Sequence, residues 1–165
     1  MHPALRWSSV VLVLAVAGCS RSSAAPADSK AAESKPKGHV RLVHAKATAP
    51  DQLAPLVAQE RAASAANGRT LVVYVGAPWC EPCKRFHAAA EQGQLDQDFG
   101  DLDLLEFDAE ADAERLLLAG YESKLIPLLV VPGPDGRGTG QRLEGSVKGD
   151  AVADLTPRLK QVLGR

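Results

Sequence analysis

The sequence predicts an α/β domain, in which a mixed β-sheet lies between layers of helices. Segments with helical and strand-like periodicity alternate from residue 38 onward, in the order β-α-β-α-β-α-β-β-α. One predicted strand, residues 70–76, is a continuous run of apolar and β-branched residues, which is typical of a strand buried on both faces. A mixed sheet covered by helices buries the apolar faces of such elements.

Three strands and two helices are predicted in the first half of the domain. The first helix ends at Asn67, which precedes a glycine suited to a helix C-terminus. Pro50 and Pro55 each suit its first turn, so its start stays open between them. The strands cover residues 39–45, 70–76 and 102–108, and the second helix runs from about residue 80 to residue 94.

A helix, a hairpin and a closing helix are predicted in the second half. A glycine-rich turn at residues 133–138 separates the two hairpin strands. Pro157 lies inside the closing helix, where it should bend the helix or remove one backbone hydrogen bond. The elements are a helix at 110–119, strands at 127–131 and 141–144, and a helix at 151–163.

Composition and charge are those of an ordinary globular protein. The chain has 165 residues, enough for one domain with a tail. Its formal net charge is −1, so no basic field predicts binding to nucleic acid. Four acidic residues are expected to form a solvated acidic face, because their spacing does not fit a calcium-binding loop. They are Asp96, Asp98, Asp101 and Asp103.

The first 18 residues are typical of an export signal. Arg6 precedes an apolar run that is too short to be a permanent membrane span. Residues 16–19, Val-Ala-Gly-Cys, resemble the lipobox of bacterial lipoproteins, which implies a lipid-modified Cys19. The alternative is a plain secretory signal with Cys19 near the cleavage site by chance. Lipidation of Cys19 would account for the odd cysteine, because it leaves one pair for redox chemistry.

The segment behind the signal is expected to be a flexible tether. Residues 19–37 contain no large apolar side chain, so they cannot bury enough surface to fold. They would connect the lipidated Cys19 to a domain at residues 38–165. By resemblance to lipoprotein sorting, Ser20 favours the outer membrane over the inner membrane. The expected location is the cell envelope, with the domain facing the periplasm.

Cys80 and Cys83 lie where the buried strand passes into a helix. Cys80 falls at the helix N-terminus, where free amides and the helix dipole stabilise a thiolate. Cys83 follows one turn later, close enough for a disulfide. A stabilised thiolate is better populated and leaves more readily. We therefore expect Cys80 to be the exposed, attacking sulfur and Cys83 to resolve the mixed disulfide.

Residues 79–84, Trp-Cys-Glu-Pro-Cys-Lys, resemble the active site of thioredoxin-family proteins. The resemblance covers about residues 38–165. Tyr121 and residues 125–127 match the family's cis-proline segment, and residues 144–149 resemble its last glycine-containing turn. The resemblance implies a thioredoxin-like three-layer fold, with a central mixed sheet flanked by helices.

The resemblance also implies roles for residues around the cysteines. Ile126 and Pro127 would form a cis peptide bond beside the disulfide. Together with Trp79 and Pro82, they would contact an extended segment of a partner protein. Ordinary packing is the alternative for Trp79.

Two residues depart from the family pattern. Leu128 stands where the family usually has a Thr after the cis-proline, which costs only a hydroxyl. Family members often carry a buried Asp six residues before the first cysteine, and Tyr74 occupies that position here. A buried carboxylate can take the proton of the resolving thiol, whereas a tyrosine at neutral pH is a poor substitute. Glu81 or a water molecule is therefore expected to transfer this proton, or turnover is slower.

These features predict a membrane-anchored reductase of disulfides in oxidised client proteins. By analogy, a transmembrane thiol donor would supply the electrons, and we expect a monomer without a cofactor. A disulfide oxidase or isomerase is the alternative and would use the same residues. The sequence alone does not fix the redox potential that distinguishes it from a reductase. A binding module with a structural disulfide is the third hypothesis. Zinc is disfavoured, because Cys80, Cys83 and His87 supply only three ligands.

Overall fold

The computed structural model describes residues 38–145 and 147–165. A five-stranded mixed sheet lies at the centre of this fold. The strands are β1 Arg41–His44, β2 Thr70–Gly76, β3 Leu102–Asp108, β4 Leu128–Val130 and β5 Arg142–Glu144. They lie in the order β1-β3-β2-β4-β5, with parallel pairing among the first three and antiparallel pairing at β4 and β5. The predicted signal and tether at residues 1–37 lie outside the described residues, as does Ser146 of the predicted glycine turn.

Five helices cover the described part of the sheet. They are α1 Leu53–Ala66, α2 Glu81–Glu91, α3 Asp96–Phe99, α4 Ala113–Leu118 and α5 Ala151–Leu163. Among the described residues, none of the helices is both long and apolar enough to cross a membrane.

One hydrophobic core lies on each face of the sheet. Successive side chains of a strand point to opposite faces, and β2 supplies both cores in this way. Val72 and Tyr74 pack into the core that contains residues of α2 and α5. Val73 and Val75 pack into the core that contains residues of α1 and α4. The predicted α/β class, with a mixed sheet between two helix layers, is confirmed.

Both candidate prolines lie at the start of the first helix. Pro50 opens a short 3-10 turn, Pro50–Gln52, and Pro55 follows in the first turn of α1, where its missing amide removes no helical bond. The C-cap is Asn67, as predicted. The closing helix has the predicted bounds and continues through Pro157.

Two predicted helices are longer than the structure shows. The helix predicted at residues 80–94 ends at Glu91, and a further short helix, α3, follows it. The helix predicted at residues 110–119 covers only Ala113–Leu118. A turn precedes it because the Asp108 carboxylate accepts hydrogen bonds from the amides of Glu110 and Ala111, at 2.8 and 2.9 Å.

The acidic run is not a uniformly solvated face, and that prediction is wrong for Asp103. The Asp103 residue is only 1% exposed, and its carboxylate accepts hydrogen bonds from Arg41, Arg69 and Ser64. Buried carboxylates of this kind are held by paired charges and hydrogen bonds. The other three acids pair at the surface: Asp96 with His39, Asp98 with Lys160 and Asp101 with Arg165.

Candidate active site

The turn between β2 and α2 places both cysteines at one helix end. β2 ends at Gly76, and the Cys80 amide donates to the Ala77 carbonyl at 3.0 Å, which closes the turn. A side chain at Gly76 would bring its Cβ to 3.2 Å from the Cβ of Cys83 and 3.3 Å from the Tyr74 hydroxyl. Glycine therefore allows α2 to approach the end of the strand closely.

Cys80 and Cys83 form a disulfide, and their Cα atoms are 5.2 Å apart. Cys80 is the N-cap of α2, and its Sγ accepts a hydrogen bond from the Cys83 amide at 3.3 Å. The predicted placement of the pair at the helix start is confirmed. In the disulfide form Cys80 is 5% exposed and Cys83 is 3% exposed, so the expectation that Cys80 is exposed is wrong for this form. The arrangement is compatible with a redox-active dithiol.

Two residues of the motif flank the disulfide at the surface. Trp79 is 63% exposed, and its indole nitrogen donates to the Glu110 carboxylate at 3.0 Å. Ordinary core packing therefore does not explain Trp79. Pro82 lies in the first turn of α2, where a helix needs no amide donor.

The Ile126–Pro127 peptide bond is cis, as the resemblance implied. The Pro127 carbonyl accepts a hydrogen bond from the Gly145 amide at 2.8 Å, which joins this segment to the turn after β5. Ile126 packs against the core cluster that contains both cysteines. The cis bond and the disulfide thus border the same core.

Tyr74 is buried beneath the cysteines and does not act as a carboxylate would. Its hydroxyl donates to the Cys83 carbonyl at 2.9 Å. Burial raises the pKa of Tyr74 well above its usual value, and the nearby charge of Glu106 adds to the increase. The hydroxyl therefore stays protonated at neutral pH and is not a base for the Cys83 thiol.

Glu81 is directed toward cations on the surface of α2. Its carboxylate contacts the Lys84 ammonium at 2.7 Å and the Arg85 guanidinium at 3.2 Å. Hydrogen bonds from Lys84 and then from Arg85 lower the pKa of Glu81. Its exposed position and its lowered pKa both weaken the case for Glu81 as the proton acceptor of Cys83.

Glu106 is an ionisable residue near Cys83 that the sequence motifs do not mark. It lines a cavity of about 610 Å³ together with Tyr74, Cys83 and His87. Burial raises the pKa of Glu106, and the opposing charges of His87 and then His44 only partly offset this effect. One sequence signal was available, since Glu106 stands between the apolar residues Leu105 and Phe107 in β3.

Histidines and carboxylates do not assemble into a metal centre in the described residues. No group of three or more His, Cys, Asp or Glu side chains there is placed to hold a metal ion. His87, considered above as a third zinc ligand, instead contacts Glu106 through Nε2 at 3.0 Å.

Comparisons of the sequence with models of protein families and with curated proteins found no match. The resemblance to the thioredoxin family therefore rests on features of this chain alone. They are the motif at residues 79–84, the disulfide at the start of α2, the cis proline and the five-stranded mixed sheet.

Proposed function

We propose that this protein is an extracytoplasmic thiol–disulfide oxidoreductase that reduces disulfides in partner proteins through Cys80 and Cys83. The observation that carries the proposal is the disulfide at the start of α2, where the Cys80 sulfur accepts a hydrogen bond from the Cys83 amide. After reduction, the same amide and the helix dipole favour a thiolate on Cys80. A stabilised thiolate at a helix N-terminus is the form of cysteine that exchanges disulfides.

In the reducing direction, the Cys80 thiolate attacks one sulfur of a partner disulfide. A bond forms between Cys80 and the partner, and the partner's other sulfur leaves as a thiolate. Cys83 then loses its proton and attacks the Cys80 sulfur. The Cys80–Cys83 disulfide forms and the second partner sulfur leaves, so two electrons have passed to the partner. A thiol donor, by analogy one embedded in the membrane, must then reduce the pair again.

The partner would dock on the surface around the disulfide. Trp79 offers an exposed aromatic side chain beside Cys80, and aromatic residues are favoured contacts at protein interfaces. Pro82 on α2 and the cis pair Ile126 and Pro127 complete the proposed contact surface. An extended partner segment would lie across these residues.

Two alternative functions differ in how they use Cys80 and Cys83. An oxidase or isomerase would have the same dithiol with a higher redox potential, and equilibration against glutathione distinguishes it from a reductase. A binding module would need the disulfide only for stability. The short loop argues against this use, because closing it removes little entropy from the unfolded chain.

Trapping experiments test the proposed roles of the two cysteines. Cys83→Ala should accumulate mixed disulfides with partner proteins, because Cys80 can attack but nothing releases the partner. Cys80→Ala is the matched control and should trap none. Non-reducing gels followed by reduction measure the trapped species. Equal trapping by both variants would contradict the assignment of Cys80 as the attacking sulfur.

We further propose that a lipid on Cys19 anchors the protein to the envelope, with the outer membrane as the favoured site and the domain facing the periplasm. The support is the lipobox-like segment at residues 16–19. Cys19→Ser should move the protein from the membrane fraction to the soluble fraction or leave it with an uncleaved signal. Folding of the domain at residues 38–165 should not change. A Cys19→Ser protein that still carries lipid would contradict the proposal.

A further inference from the structure

We propose that the Glu106 carboxylate accepts the proton of the Cys83 thiol when Cys83 resolves a mixed disulfide, an assignment that rests on the dithiol function proposed above. It would replace the buried carboxylate that is missing at Tyr74. In this chain the proton acceptor would thus lie on β3 rather than on β2.

Strand register places Glu106 on the side of the sheet that carries the cysteines. Glu106 pairs with Tyr74 in the parallel ladder between β2 and β3. Paired residues on neighbouring strands project from the same face, and Tyr74 donates its hydroxyl to the Cys83 carbonyl. Glu106 therefore lies next to the residue that contacts Cys83, under the helix α2.

The contacts of His87 fix the Glu106 carboxylate beneath the same face of α2. His87 follows Cys83 by four residues, so both side chains lie on one helix face with Cβ atoms about 5–6 Å apart. The His87 Nε2 atom is 3.0 Å from Glu106 Oε1. The carboxylate is thus held by a side chain that lies one helical turn from Cys83.

Both residues line one cavity. It measures about 610 Å³, opens to solvent and is lined by both Cys83 and Glu106. A space of this size holds several water molecules, which can carry a proton between groups that do not touch. The Glu106 side chain keeps 12% of its surface, so it is shielded but still reached from this cavity.

The charged groups near Glu106 belong to β1, α2 and β3. His44 on β1 contacts Oε2 at 3.1 Å, and Glu91 on α2 contacts the far side of the His87 ring at 3.5 Å. The remaining ionisable groups that line the cavity are Tyr74, Lys84 and Asp108. Burial raises the pKa of Glu106 despite the two histidines, which makes it a stronger base than an exposed glutamate.

The proton transfer completes the resolving step. Glu106 takes the proton of the Cys83 thiol, and the resulting thiolate attacks the Cys80 sulfur. The Cys80–Cys83 bond forms, the bond between Cys80 and the partner breaks, and the partner sulfur leaves with the electron pair. The protonated Glu106 then returns its proton to solvent through the mouth of the cavity.

Stopped-flow mixing of the reduced protein with the coloured aromatic disulfide dithiobis(nitrobenzoate) separates the two steps. Attack by Cys80 releases one aromatic thiolate and resolution by Cys83 releases the second. Near neutral pH, Glu106→Gln should slow the second release by at least about tenfold, because general base catalysis contributes roughly a hundredfold or more. The first release should not change.

The pH profile distinguishes a proton acceptor from a structural residue. In the wild type the second release should rise with pH through an inflection that belongs to Glu106. Glu106→Gln should lose this inflection and follow the thiolate fraction of Cys83 alone. Glu106→Asp keeps a carboxylate, so it should recover part of the rate, with the inflection at lower pH because aspartate is the stronger acid.

Asp103→Asn is the matched control, because it removes another buried carboxylate of β3 on the opposite face. Its second release should match the wild type. An unchanged second release in Glu106→Gln, or equal rates for the Gln and Asp variants at every pH, would overturn the proposed role of Glu106. The proposed dithiol function would stand. Two other outcomes would instead overturn the proposed dithiol function. One is release of only one thiolate by the wild type, and the other is an unchanged first release in Cys80→Ala.

Discussion

Two acidic residues of β3, three positions apart, have opposite surroundings. Asp103 lies on the face covered by α1 and receives hydrogen bonds from Arg41, Arg69 and Ser64. Glu106 lies on the face covered by α2 and contacts two histidines. Because side chains of a strand alternate between faces, the spacing of three places them on opposite sides of the sheet.

The difference lies in the partners rather than in burial alone. Burial by itself would raise the pKa of Asp103, but hydrogen bonds from Arg41, Ser64 and Arg69 outweigh it and hold that pKa below its usual value. For Glu106, burial prevails over the histidine charges and the pKa is raised. Arginine is always charged, so Asp103 stays ionised and holds the fold. Glu106 can gain and lose a proton.

Asp103→Asn should have the largest effect on stability. The substitution leaves the guanidinium of Arg69, which is mostly buried, without its anionic partner. Breaking a buried pair in this way costs about 3 kcal/mol or more of unfolding free energy. Denaturant unfolding near neutral pH measures the loss. Glu106→Gln should cost clearly less, and a greater loss in Glu106→Gln would contradict the division of roles between the two acids.

The cost of Asp103→Asn should shrink at acid pH. The pKa of Asp103 is lower in the folded state than in the unfolded chain, so its ionised form favours folding. That contribution is complete above the unfolded-state pKa and is lost as the pH falls through the lower, folded-state value. The stability difference between wild type and variant should therefore narrow over this range. A difference that does not depend on pH would mean that the pair contributes through packing.

Local sequence patterns predicted the scaffold of the site well. The run at residues 70–76 became β2 with the predicted bounds, and the motif at residues 79–84 became the start of α2. Such features depend on neighbours in the chain, because a buried strand and a helix N-terminus are set by contiguous residues. The cis bond before Pro127 followed from the resemblance and not from the residues alone.

Long-range partners could not be predicted in this way. Asp103 was expected at the surface, because its hydrogen-bond partners lie 34 to 62 positions earlier in the chain. Glu106 was not recognised because its proximity to Cys83 depends on the register of β3 against Tyr74. A single sequence shows that a charge interrupts a strand, but pairing decides what that charge meets.

Tyr74→Phe should have the smallest effect, and it tests whether Glu106 acts independently of its neighbour. The change removes the hydrogen bond from the Tyr74 hydroxyl to the Cys83 carbonyl, which should cost about 1 kcal/mol of unfolding free energy. The Cys83 thiol keeps its access to Glu106 through the cavity, so the second release of aromatic thiolate should keep its rate and its inflection. Denaturant unfolding and the stopped-flow assay measure the two quantities. A second release slowed as strongly as in Glu106→Gln would show that the hydroxyl of Tyr74 is part of the proton path, because a phenylalanine preserves the packing of the ring and removes only the oxygen.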